Sequence, residues 1–275
     1  MTTQSTKPEA ERPEAKRICN LVPSRNTESD WRIEHAVAAN AIAAPAAALP
    51  ASVDLREPSW WNIGDQENTG SCVGWASADS VARYHMVKAG KIAKPGLLSP
   101  RYTWMASKET DVFTNRPETF IELAGTSLKA AMDILRKYGA VPESLLPFHI
   151  STLMFSGSEN TFYAIAATHR IAAYFNLFKD LNNWRTWLAT HGPIMAGLSV
   201  DATWDHATAT QGKLDTFQPN TVRGGHAVCI VGYRTDKRFI IRNSWGTSWG
   251  DHGFAYASEA YINAGFYNES YGVTV

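Results

Sequence analysis

The spacing of apolar residues divides the chain into a first half that reads as helices and a second half that reads as strands. From Cys72 to Lys88, the positions Val73, Ala76, Val81, Ala82 and Met86 fall mostly at helical intervals, and Gly90 supplies a stop. Ser99 caps a second helix, with Pro100 in its first turn, where a proline costs no hydrogen bond. Ser127 caps a third, in which Leu128, Ala131, Leu135 and Tyr138 share a face and Gly139 ends the run. A further helix is predicted around Trp184 to His191. Beyond Gly192-Pro193 the pattern changes to β-type runs: IMAGLSV from Ile194, AVCIVGYR from Ala227 and RFIIRNSW from Arg238, the last two joined by a turn at Thr235-Asp236-Lys237. Helices first and strands afterwards predict an α+β protein with two lobes. The chain has no internal repeat, and no Gly-rich phosphate loop follows a strand.

The segment ahead of this body is different. Residues 1 to about 24 are rich in Pro, Glu, Lys and Arg, a composition that buries too little apolar surface to offset the entropy of ordering, and a flexible tail is expected. Residues 36–51 are Ala-rich but interrupted by Pro45 and Pro50, as in a connector laid on the main domain. The expected organisation is an N-terminal extension over 1–51 and one folded domain over 52–275.

Composition narrows the class of function. A chain of 275 residues with 44% hydrophobic and 19% charged residues can build one large domain or two small lobes, and it has no run long enough to cross a membrane. Lys+Arg and Asp+Glu number 26 each, so there is no electrostatic footprint for nucleic acid or for an anionic membrane. Cys19, Cys72 and Cys229 form neither a disulfide framework nor a metal-binding spacing, so no metal or cofactor is expected and a reducing compartment fits. The first residues lack the apolar core of a secretory signal, which predicts a cytoplasmic protein or one secreted by a signal-independent route.

Candidate chemistry begins at Cys72. It follows Gly70-Ser71 and opens a helical pattern, so the free N–H groups of the first turn would stabilise a thiolate there. Taken alone, such a cysteine is more often a small buried hydrophobe. His226 stands where a strand begins, and Asn243 closes the next strand, so neighbouring strands can bring the two side chains together. An amide oxygen that accepts from one imidazole N–H fixes the tautomer in which the other nitrogen faces sulfur. Trp245 could shield that bond from water. Gln66, six positions before Cys72, can add its amide to the Cys72 N–H as an oxyanion hole. Alone, Asn243 reads as a turn residue beside core tryptophans and Gln66 as a loop residue.

Together these positions resemble the papain-like cysteine peptidases. The resemblance rests on Asp54-Leu55-Arg56, Asp65-Gln66 and Gly70-Ser71-Cys72. Gly225-His226-Ala227 follows about 150 residues downstream, and Asn243-Ser244-Trp245-Gly246 and Trp249-Gly250 complete it. It covers residues 52 to 257 and implies a papain-like two-lobed fold, with a helical N-terminal lobe, an antiparallel β-rich C-terminal lobe and the active-site cleft between them. It further implies a peptidase, an endopeptidase rather more than an exopeptidase, acting on peptide or protein substrates through a thioester. Catalytic roles pass to Cys72, His226, Asn243 and Gln66, and substrate-binding roles to Gly70, Gly125, Thr126, Gly197, Gly225 and Trp245. The missing side chains at Gly197 and Gly225 suggest a roomy apolar pocket, or equally turn and close-packing glycines.

Three departures stand out. Thr69 occupies the place of a family cysteine, so a usual disulfide is absent. Val73 replaces the aromatic residue that normally follows the nucleophile, with Trp75 two positions on. The extension is too short for the long helical propeptide of secreted relatives, as in a compact bacterial branch of the family. It could still cross the cleft as an intramolecular inhibitor, with Trp31, Ile33 and Val37 as anchors, or be a tail without a role. Two rival functions share the same Cys and His: a transglutaminase-like enzyme or cell-wall amidase, and an inactive peptide-binding relative.

Overall fold

The computed structural model describes residues 17–43, 48–110, 124–149 and 158–275. Of the expectations above, residues 1–16 of the tail and Pro45 of the connector lie outside them. The chain enters through α1 (Ile33–Ala38) and β1 (Val53–Asp54). The helical half follows: α2 (Cys72–Gly74), a π-helical segment (Trp75–Ala82), α3 (Arg83–Lys88), α4 (Pro100–Thr110), α5 (Leu128–Lys137) and α6 (Glu159–Ala167). The sheet half contains β2 (Ala173–Asn176), α7 (Leu181–Thr190), β3 (Ile194–Val200), α8 (Ala202–Asp205) and β4 (Lys213–Leu214), then β5 (Gly224–Tyr233), β6 (Arg238–Arg242), β7 (Phe254–Ser258), α9 (Glu259–Gly265) and β8 (Phe266–Thr274).

Local chemistry explains the boundaries. The Ser99 hydroxyl accepts from the Tyr102 N–H at 3.0 Å at the head of α4, and Ser127 Oγ accepts from Ala130 N–H at the head of α5. Leu128, Ala131 and Leu135 are buried as their spacing requires, whereas Tyr138 is half exposed at the C-cap of α5. The helix predicted from Trp184 starts earlier, at Leu181, because Asp180 accepts from the N–H groups of Asn182 and Asn183. The helix that Cys72 opens is continuous to Lys88 but winds as a π-helix in its middle. There the Ser77 hydroxyl donates to the Val73 carbonyl at 2.6 Å and competes with the main chain for its acceptor.

The sheet runs in the order β2-β8-β3-β5-β6-β7-β4, antiparallel except for the β4–β7 pair, with β1 also on β5. Its last strand in sequence, β8, lies inside it between β2 and β3. One core joins the helix that Cys72 opens to the sheet through Val73, Val81 and Met86 with Met195, Cys229 and Ile240. A second lies on the other side of the sheet around Trp184, Trp187, Trp204 and Phe239. This is the two-lobed α+β arrangement. Ile33, Ala36 and Ile42 join the second core, so packing begins ahead of the boundary expected at residue 52.

A buried ionic clasp ties the lobes together. Arg242, at the end of β6, donates to Asp79 Oδ2 at 2.8 Å, Ser80 Oγ at 2.6 Å and the Asn62 carbonyl at 2.5 Å, and its guanidinium lies over the Trp61 ring. Asp79 also accepts from Arg83 Nη1 at 3.1 Å. Among the described residues no helix is long and apolar enough to cross a membrane.

Candidate active site

The site is assembled at the junction of the lobes from three chain segments. Cys72 is the first residue of α2, and His226 is the third residue of β5. Asn243 follows the last residue of β6, which pairs with β5. His226 Nε2 donates to Asn243 Oδ1 at 2.7 Å, and the same oxygen accepts from the Ser244 N–H at 2.8 Å, which identifies it as the carbonyl oxygen of the amide. The imidazole therefore carries its proton on Nε2. Its buried Nδ1 has no hydrogen-bond partner among the described residues and is the nitrogen free to exchange a proton. The Cys72 sulfur accepts main-chain hydrogen bonds from Ala227, the residue after His226, and from Val73 and Cys72 in the first turn of its own helix. The helix terminus thus addresses the sulfur as expected.

The charge state departs from the expectation of a sulfur ionised near neutral pH. Burial pushes the Cys72 thiol up to about 11, outweighing the three N–H groups that favour the thiolate. Burial likewise pushes His226 down to about 4, against the Asn243 hydrogen bond, and the nearby Arg223 cation lowers it further. Both residues are 0% exposed, so in this conformation the pair is a neutral thiol and a neutral imidazole.

Aromatic rings wall the imidazole. Trp245 lies 4.9 Å from it, centroid to centroid, and Trp204 meets it edge-on at 5.6 Å. Gln66 is buried beside the pair, with Nε2 donating to the Thr69 carbonyl and Oε1 accepting from the Ser244 hydroxyl, both at 2.9 Å. Gly70 is buried in the loop between Gln66 and the helix.

What covers the site is the chain's own segment 17–24. Arg17 pairs with Asp65 and reaches the Trp245 carbonyl. The Leu21 N–H donates to the Gly225 carbonyl at 3.0 Å and the Val22 N–H to the Thr126 carbonyl at 3.1 Å. A Cβ on Gly125 would lie 1.8 Å from the Asn20 carbonyl, and one on Gly224 1.9 Å from that of Cys19, so glycine is what lets this strap approach so closely. A Cβ on Gly197 would meet Leu21 Cδ2 at 2.9 Å. Gly225 is a close-packing glycine, because the Tyr267 ring occupies its side-chain direction. Further on, the Ser24 N–H donates to the buried Glu269 at 2.9 Å, and Ser24 Oγ accepts from the Lys129 N–H at 3.1 Å.

This corrects two expectations. Residues 17–24 are packed on the body through main-chain bonds and Leu21, where a flexible tail was expected. Trp31, Ile33 and Val37 are not the cleft anchors: Trp31 is 59% exposed, and Ile33 and Val37 pack on the core behind the sheet. Their spacing belongs to the short amphipathic helix α1, which needs a flat apolar partner. An extended stretch such as Arg17–Val22 fits a groove instead. Sequence reasoning also missed Trp204, Ser244 as the holder of Gln66, and Leu21. The apolar pair Leu21-Val22 inside a charged stretch was the available signal.

Comparison with known proteins shows the family and the fold. The model of the papain family of cysteine proteases matches residues 49–273. The chain is 27% identical over 219 residues to cathepsin B-like CP2 of Giardia intestinalis, a match that spans 75% of this chain and 68% of that one. It is 25% identical over 216 residues to ananain of Ananas comosus, spanning 75% of this chain and 55% of the relative. Among solved structures, xylellain, a cysteine protease from Xylella fastidiosa, superposes with a TM-score of 0.76 at 22% identity, over 95% of this chain and 98% of the other, which is a likeness of fold. The chain belongs to the papain family of cysteine proteases.

Proposed function

We propose that this chain hydrolyses peptide bonds with Cys72 as nucleophile and is held inactive by its own residues 17–24. The observation that supports this best is the fixed tautomer of His226. With Nε2–H committed to Asn243, Nδ1 is the only ring nitrogen available to the sulfur. Once the strap leaves, water returns to the pair and the proton moves from sulfur to Nδ1. The thiolate attacks the peptide carbonyl, and the resulting oxyanion is held by the Cys72 N–H and an N–H of Gln66 Nε2. The imidazolium gives its Nδ1 proton to the leaving amine as the C–N bond breaks, leaving a thioester on Cys72. Water then attacks the thioester, losing a proton to Nδ1, and the acid is released as the thiol re-forms.

The strap also suggests what the cleft takes. Leu21 lies against Gly197 and is 4% exposed, so the adjoining pocket accepts a branched aliphatic side chain. The three cysteines are free, which suits a reducing compartment. The test is the cleavage of blocked fluorogenic dipeptide amides, with leucine next to the residue at the scissile bond, by the full-length chain with its strap loosened through Arg17→Ala and Leu21→Ala, and by that same chain carrying in addition Cys72→Ala or His226→Ala. Both substitutions are expected to abolish turnover while circular dichroism is unchanged. Turnover surviving in Cys72→Ala excludes the nucleophile. Turnover of glutamine donors or muropeptides in place of dipeptide amides moves the chain to another acyl-transfer chemistry.

A further inference from the structure

A serine at a helix N-cap normally turns its hydroxyl oxygen onto the N–H groups of the first turn. Ser71 is the N-cap residue of the nucleophile helix, is fully buried, and makes no such bond. Its hydroxyl pairs with the Thr69 hydroxyl at 2.7 Å. The Thr69 hydroxyl is 2.6 Å from the Gln66 carbonyl, which can only accept, so Thr69 donates there and Ser71 must donate to Thr69. The chain Ser71→Thr69→Gln66 is therefore polarised in one direction, and each bond strengthens the next. Thr69 is buried at 3% exposure, and its own carbonyl accepts from Gln66 Nε2 at 2.9 Å. On the other flank the Gln66 N–H donates to the Ser244 carbonyl at 2.7 Å, and the Ser244 hydroxyl donates to Gln66 Oε1.

Two consequences follow. The amide of Gln66 is fixed at both ends, leaving one Nε2–H uncommitted among the described residues. The first-turn N–H groups of α2 are left without a serine cap, open to the sulfur and to an oxyanion.

We propose that Thr69 is a positioning residue for the oxyanion hole, a hydroxyl staple that sets Gln66 and keeps Ser71 from capping the nucleophile helix. This rests on the peptidase reading above. Replacing the hydroxyl by a methyl group frees the Gln66 carbonyl and the Ser71 hydroxyl together while filling nearly the same space, so the fault it introduces is one of placement.

The experiment uses the full-length chain carrying Arg17→Ala and Leu21→Ala, which loosen the strap. Turnover is expressed per active site titrated with an epoxysuccinyl inhibitor. In that background Thr69→Val is expected to lower kcat about tenfold, less than the loss on deleting an oxyanion donor outright. KM should stay within about twofold, and binding of a peptide aldehyde, whose tetrahedral adduct places its oxygen in the hole, should weaken in parallel with kcat. Thr69→Ser, which keeps the hydroxyl, should restore both. Unchanged kcat and aldehyde affinity in Thr69→Val overturns the proposal, as does a loss that Thr69→Ser does not repair. If Thr69→Val fails to fold, Thr69→Ala removes the same hydroxyl with a smaller side chain and is read in the same way. A parent that neither turns over substrate nor reacts at Cys72 overturns the peptidase reading itself, before Thr69 is altered.

Discussion

At His226, burial and hydrogen bonding pull in opposite directions, and burial wins. The imidazole is held near 4 while the strap is closed, well below its ordinary 6.5. A group whose value is lowered in the closed form stabilises that form above its ordinary value, and the contribution disappears as the pH falls toward the lowered one. Acidification from pH 7 should therefore release the strap. Arg223 adds to this as a fixed cation beside the ring. Glu269 works the other way: burial raises its carboxyl above the ordinary range, which favours closure in acid and loses force as pH rises. With His226 dominant, labelling of Cys72 by an epoxysuccinyl inhibitor in the full-length chain should accelerate between pH 7 and 5, relative to the strap-loosened variant. A flat or falling ratio would show that Glu269 controls the latch. Cys72, His226, Asn243 and Gln66 are legible in the sequence only as a set, because each reads as an ordinary residue alone and it is their motifs together that resemble one family. Thr69 shows in the sequence only as the replacement of a family cysteine: the staple proposed for it depends on two hydroxyls and a carbonyl that approach only once the loop is folded.

Among the elements, the nucleophile helix shows how far periodicity reaches. Its span followed from the apolar spacing, but its π-helical winding did not, because that depends on the Ser77 hydroxyl taking a main-chain acceptor. The wider turn brings the consecutive residues Asp79 and Ser80 onto the same guanidinium, Arg242. Arg242→Met would remove a buried cation from three acceptors and leave Asp79 with Arg83 alone. A cost of about 3 kcal/mol is expected in urea denaturation, with the native fold retained. A change below about 1 kcal/mol would mean that Arg83 carries the clasp by itself. Strand β8 escaped the sequence reading for a related reason. Asn268, Glu269 and Ser270 interrupt its apolar run, yet Glu269 and Ser270 are fully buried, Glu269 accepting from the Ser24 N–H through Oε1 and Ser270 bonded to the Trp184 indole and the Phe178 carbonyl. Buried polar residues with distant partners look like loop residues until those partners are in place.

For the molecule as a whole, the proposed inhibition turns on how firmly the strap is seated. Leu21 contributes most of its apolar anchoring, about 2 kcal/mol for a buried leucine side chain. The Arg17–Asp65 pair is partly exposed and contributes less. Leu21→Ala in the full-length chain should therefore shift the balance of open to closed forms about thirtyfold and raise kcat/KM for a small substrate accordingly. Equal kcat/KM for the two proteins would show that segment 17–24 is no barrier to catalysis.

The place of β8 adds a temporal consequence. The interior of the sheet cannot be completed until residues 266–274 have been made, since β8 supplies the seam between β2 and β3. By then residues 17–24 have long since left the ribosome. If segment 17–24 is the guard we propose, it is on hand before the weapon is assembled, and a newly made molecule need never pass through a stage in which Cys72 stands finished and unwatched among its host's other nascent chains.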